Sequence, residues 1–88
     1  MKPIVVGSLE SSDCLITLTP SKTTTITIES IVYDAFGDAI EQVIKQTLKH
    51  HGLHDVHVYV QDKGALDYAI EARLTSAIKR YRSEADES

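Results

Sequence analysis

The sequence has no tryptophan, a single phenylalanine and a single cysteine among 88 residues. One cysteine, Cys14, excludes an internal disulfide, so the fold does not rest on oxidation and a reducing cytoplasm is the expected compartment. Without tryptophan the core has to be built from Ile, Val and Leu. Apolar runs are short: a run such as Ile4–Val6 falls far short of the ~20 residues that a membrane-spanning helix needs. No charged-then-apolar leader is recognisable, so neither export nor a membrane is expected. Positive charge is scarce as well. Nine Lys+Arg against thirteen Asp+Glu give a formal net charge of −4, with no basic stripe. That speaks against nucleic acid as a partner, because binding it requires cations to neutralise phosphates.

Length sets a further limit. One domain is expected, spanning residues 1–82, with 83–88 as a polar tail that frays. A chain this short hides only about 60–65% of its unfolded surface. A deep substrate pocket would take up much of so thin a core, which disfavours a self-sufficient enzyme. With 42% hydrophobic and 25% charged residues, the composition is that of an ordinary folded domain.

The first thirty residues alternate as strands do. Val5, Gly7 and Leu9 share one side of the first run, and Cys14, Ile16 and Leu18 one side of the next. An antiparallel pairing of Leu9 with Cys14, Gly7 with Ile16 and Val5 with Leu18 aligns both apolar faces and puts Ser11–Ser12 at a two-residue turn. After the turn-forming segment Pro20–Thr24, Ile26 and Ile28 extend the pattern against Leu18 and Ile16, which predicts a three-stranded meander.

The period then changes to that of a helix. Asp34 is a candidate cap, Phe36, Ile40, Val43, Ile44, Thr47 and Leu48 form an apolar stripe, and Gly52 ends the helix. Val56, Val58 and Val60 predict a fourth strand, and Asp62-Lys63-Gly64 a turn. A second helix over about Ala65–Tyr81 carries Leu66, Ile70, Leu74, Ala77, Ile78 and Tyr81 on one face. The expected fold is α+β in two layers: a β-meander followed by α-β-α, with both helices on one face of a four-stranded sheet.

His50, His51, His54 and His57 lie close in sequence. However, His50 and His51 point about 100° apart on a helix, and no carboxylate completes an H-E-x-x-H spacing. They read as side chains serving a helix C-terminus, and no metal is expected. Cys14 lacks the cationic neighbour that activates a thiol and reads as a small core residue. No Gly-x-Ser-x-Gly elbow or phosphate-cradling glycine loop is present, so no catalytic residue is assigned. What remains is the tip Glu10-Ser11-Ser12-Asp13, two hydroxyls between carboxylates, read either as an ordinary turn or as a modified hydroxyl held where another protein can reach it.

The segment Gly7-Ser8-Leu9-Glu10-Ser11-Ser12-Asp13 resembles the Gly-x-Leu-Glu-Ser-Gly-Asp segment of the citrate lyase acyl carrier protein (gamma subunit) family. Phe36-Gly37-Asp38-Ala39-Ile40, Asp62-Lys63-Gly64-Ala65-Leu66-Asp67 and Ala72-Arg73-Leu74 are similar to that family's other signatures, in order from about Val5 to about Arg80. The resemblance implies a non-catalytic carrier with a phosphoribosyl-dephospho-coenzyme A group on Ser11 through a phosphodiester. Ser12, the runner-up, stands where the family usually has glycine, which removes the residue best suited to positive φ.

The implied partners are a transferase (alpha) subunit, which exchanges acetate for citrate on the group's thiol, a lyase (beta) subunit, which releases oxaloacetate, and the prosthetic-group transferase. Glu10, Asp13, Asp62, Lys63 and Asp67 are candidate partner-docking residues. The carriers of malonate decarboxylase and citramalate lyase are related alternatives, with Asp62–Asp67 arguing for citrate. A small non-covalent protein-binding module is an alternative of a different class.

Overall fold

The computed structural model describes residues 2–87, with side chains described as far as Ala85. In chain order it contains β1 (Ile4–Gly7), β2 (Cys14–Pro20), β3 (Thr25–Ser30), α1 (Tyr33–His51), β4 (Val56–Asp62) and α2 (Asp67–Glu87). The α+β class, the four strands and the helical layer covering one face of the sheet agree with the sequence reading. On that face Cys14, Ile16 and Leu18 of β2 and Val56, Val58 and Val60 of β4 are buried against Ile40, Ile44 and Leu48 of α1 and Ile70, Leu74 and Ile78 of α2. Each such side chain contributes about 1.5–3 kcal/mol by leaving water.

The meander is corrected. Strand order is β1-β2-β4-β3, so β4 rather than β3 lies beside β2. β2 and β4 are antiparallel over seven pairs, from Cys14 opposite Asp62 to Pro20 opposite Val56, while β3 runs parallel to β4. The reason is polarity. β4 buries alternate residues along its whole length, whereas Thr25, Thr27 and Glu29 of β3 are exposed. The strand with the stronger apolar face takes the centre, and the threonine-rich one suits the edge. Pro20–Thr24 therefore closes no hairpin. Instead Ser21 N–H donates to the Asp55 carbonyl (3.0 Å) and Asp55 N–H to Thr24 Oγ1 (2.9 Å).

The β1 register is corrected by one residue. Ile4 pairs with Leu18 and Val6 with Ile16. Such a slip exchanges the two faces of a strand: Ile4 is buried, and Val5 and Leu9 are exposed. Turning Ile4 and Val6 inward hides more apolar surface than Val5 and Gly7 could. The linking segment accordingly spans Ser8–Asp13 rather than two residues.

α1 starts after Val32, without a side-chain cap. Asp34, the expected cap, sits inside its first turn. Gly52 closes α1 in the left-handed conformation, with its N–H on the Lys49 carbonyl and Leu53 N–H on that of Leu48. α2 begins at Asp67 and continues to Glu87, beyond the expected Tyr81. The expected frayed tail includes Ser88, which lies outside the described residues. Phe36 and Leu66, both assigned to core stripes, are exposed. At that end the starts of the two helices stand apart across an open groove, and each stripe runs out past the core. Among the described residues no helix is long and apolar enough to cross a membrane.

Candidate functional site

The Ser8–Asp13 segment begins where Gly7 turns away from the ladder and Ser8 N–H still reaches the Cys14 carbonyl (3.1 Å). Asp13 N–H donates to the Glu10 carbonyl (3.1 Å) and closes a turn with Ser11 and Ser12 at its two central positions. Ser12 takes φ +67°, the left-handed conformation that a glycine would adopt more readily. Two further bonds hold it there: Ser12 N–H donates to the Lys63 carbonyl (2.8 Å), and Lys63 N–H donates to that of Asp13 (2.9 Å). The tip is thus bound to the loop between β4 and α2, so tertiary contacts supply what the turn sequence lacks.

Asp13 organises the tip from beneath. Its carboxylate accepts from Ser8 Oγ (2.6 Å), Cys14 N–H (2.7 Å), Arg73 Nε (3.1 Å) and Arg73 Nη2 (2.6 Å). The Arg73 guanidinium first, then the Ser8 hydroxyl and the Cys14 amide, holds its carboxyl well below the usual carboxylate range, and Asp13 in turn raises the Arg73 pKa. A carboxyl depressed on folding adds stability above its unfolded pKa of about 4 and loses it as pH falls through the folded value. In acid titrations followed by thermal unfolding, the advantage of the wild type over Arg73→Met is therefore expected to be full above about pH 5. It should shrink steadily below that. A difference constant down to the lowest pH at which both proteins fold would refute this role.

Asp62 does a similar job under the loop. It is 2% exposed, which leaves little of the expected docking residue at the surface. Its carboxylate accepts from Ser30 Oγ (2.7 Å) and Ala65 N–H (2.9 Å). Asp13 likewise has its oxygens occupied within the chain, whereas Glu10, Lys63 and Asp67 stand in solvent.

Ser11 itself makes no hydrogen bond among the described residues, and its side chain is exposed. Beside it opens a hollow of ≈ 500 Å³, floored by Ala69, Ala72 and Ser76 of α2 and edged by Tyr68 and Arg73. The arrangement presents an unencumbered hydroxyl on a stiff support, beside the Arg73 guanidinium and enough open space for a bulky substituent. Cys14 is fully buried, and burial first, then the Asp13 and Asp62 carboxylates, pushes its thiol up to about 11. It remains protonated and inert.

The histidines disperse. His57 Nε2 meets Thr27 Oγ1 (2.9 Å), His54 lies 3.2 Å from the Asp55 carboxylate, and the His50 and His51 rings meet edge to face at 5.1 Å. The His51 carbonyl accepts from Arg82. Among the described residues no three His, Cys, Asp or Glu side chains come together as metal ligands.

Sequence reading assigned no role to Ser8 or Arg73. For Arg73 a signal existed: it adjoins Ile70 and Leu74 on α2, too near the apolar stripe for a freely solvated arginine. Its partner sixty residues earlier in the chain is visible only in the fold.

Comparison with known proteins places the chain in a family. The family model described as malonate decarboxylase delta subunit (MdcD) matches residues 1–81. A citrate lyase acyl carrier protein of Streptococcus uberis is 51% identical over 81 residues, covering 91% of this chain and 80% of that protein. The protein of the same description from Clostridium perfringens is 46% identical over 81 residues, covering 90% and 80%. A chain in the crystal structure of a Pseudomonas malonate decarboxylase hetero-tetramer in complex with malonate superimposes with a TM-score of 0.76 at 16% identity, over 89% of this chain and 81% of that one. That likeness speaks for the fold alone. With relatives at this level of identity, the chain belongs to the citrate lyase acyl carrier protein family, as a carrier subunit that is not itself a catalyst.

Proposed function

We propose that Ser11 is the attachment point, carrying phosphoribosyl-dephospho-coenzyme A through a phosphodiester on its Oγ. The reading is supported above all by Ser11, exposed and without a hydrogen bond at the centre of a turn whose other members are held through their backbones; the Ser12 hydroxyl beside it is also exposed and unbonded, and the Leu9-Glu10 and Asp13 match of the segment favours Ser11 over it. The neighbouring residues suit such a group. Arg73 keeps part of its guanidinium in solvent beside the hollow, where it can face a phosphodiester, and the hollow leaves room for the nucleotide.

When bound, the group supplies the thiol on which an acyl unit travels. Everything else that this chain contributes is mechanical. The hairpin holds Ser11 still, Asp13 and Arg73 keep the tip from folding back, and the tether replaces diffusional encounters by a high effective concentration. The attaching enzyme supplies the base for phosphodiester formation. The transferase and lyase subunits of a citrate lyase complex then act in turn on the carried unit, converting citrate to acetate and oxaloacetate in the cytoplasm. The test is peptide mapping by mass spectrometry of wild-type chain co-expressed with its attaching enzymes. The added mass is expected on Ser11. Its location on Ser12, or no added mass at all, would overturn the assignment.

A further inference from the structure

The fold leaves three large apolar side chains in water around one groove: Phe36 in the first turn of α1 and Leu66 and Tyr68 at the start of α2, 55%, 62% and 72% exposed. With Val32, Ala39 and Ala65 they line an open groove of ≈ 780 Å³ between the two helix starts. A contiguous apolar surface of this kind on a small soluble chain marks a site of association.

Two observations indicate what covers it. First, the groove adjoins the Ser11 tip. Tyr68 lines both the groove and the hollow beside Ser11, and the loop that borders the groove is the one hydrogen-bonded to Ser12 and Asp13 through Lys63. Second, its α2 edge is acidic. Asp67 lines the groove and Glu71 stands one turn further along α2, whereas Asp34 and Asp38 lie on the far side of α1. Asp67 and Glu71 are exposed, and neither has an ion-pair partner among the described residues.

We propose that this groove is the docking site for a partner subunit that works on the group at Ser11. The partner inserts an apolar side chain between Phe36, Leu66 and Tyr68 and sets a Lys or Arg side chain against Asp67. Apolar contact provides the affinity, and the acidic rim provides orientation and speed of encounter. The inference rests on the carrier reading above and adds the surface by which the carrier is held.

The experiment titrates wild-type chain, the double variant Phe36→Ser/Leu66→Ser and Asp67→Lys into the remaining citrate lyase subunits, purified together. Ser11→Ala is run in parallel, so that binding is read without the group. The double variant alters exposed side chains and should keep the wild-type thermal midpoint, whereas Asp67→Lys, which puts a cation at the positive end of α2, should lower it by a few degrees while staying folded at the assay temperature. The double variant is expected to bind about tenfold or more weakly. Asp67→Lys is expected to associate more slowly, with a flatter dependence on salt. Lys22→Ser, on the β2–β3 turn, should match the wild type. Equal binding by wild type and double variant would overturn the groove while leaving the carrier reading intact. A wild-type chain that ignores those subunits would remove both. A wild-type dimer that the double variant dissolves would assign the groove to a second copy of the chain. Shielding of Tyr68 that appears only in loaded chain and is absent from Ser11→Ala would assign it to the chain's own group.

Discussion

Ser11→Ala, co-expressed with the attaching enzymes, is expected to emerge entirely at its unmodified mass while folding as the wild type does. The Ser11 side chain is exposed and makes no hydrogen bond, so its loss should change stability by no more than about 0.5 kcal/mol. The functional effect, by contrast, is all or none, because no other oxygen stands in the same place. Ser12→Gly is the informative companion. It removes the neighbouring hydroxyl and relieves the left-handed backbone at φ +67°. That gain of roughly 1 kcal/mol is offset by the larger chain entropy of glycine. This variant should stay fully modified, with stability within about 1 kcal/mol of wild type. Modification that survives Ser11→Ala and disappears in Ser12→Ala would transfer the attachment point to Ser12.

Gly7→Ala is expected to be the most damaging single methyl that can be added near the tip. Gly7 has φ +108°, outside the range that L side chains normally adopt, and a Cβ there would lie 2.0 Å from the Cys14 carbonyl oxygen. That oxygen accepts the Ser8 N–H bond that starts the loop, so the clash can be relieved only by parting β1 from β2. A cost of about 3 kcal/mol or more follows, against a total stability of roughly 4–13 kcal/mol for a chain of this size. The thermal midpoint should fall by roughly 12 °C or more. Loading of Ser11 should drop with it, since Ser8 loses its hold on Asp13. A midpoint within a few degrees of wild type would show that the strand exit is not constrained in this way.

Much of the architecture is legible without coordinates because it depends on local periodicity. The 3.6-residue stripes Ile40–Ile44–Leu48 and Ile70–Leu74–Ile78, the alternation of Val56, Val58 and Val60 and the stop at Gly52 all appear where the pattern puts them. Strand order was not legible, because alternation in Thr25–Ser30 is compatible with either neighbour. The choice was made by competition for the central position, which β4 wins by its stronger apolar face. The β1 register failed for a related reason. With Ile4, Val5 and Val6 in succession, both faces of the strand are apolar, and the loop length that would break the tie is not written in any local pattern.

The site divides along the same line. The sequence by itself determined that this chain is small and acidic, that a pair of hydroxyls lies at a turn, and that its segments resemble those of one carrier family. Each of these follows from composition or from residues adjacent in the chain. Only the tertiary structure decided which groups are free. It buried Asp62, engaged Asp13 with Ser8 and Arg73, left Ser11 unbonded, and turned Phe36 and Leu66 out into water. Exposure and pairing are properties of contacts between distant segments, and a sequence pattern records only which side of its own helix or strand a residue occupies.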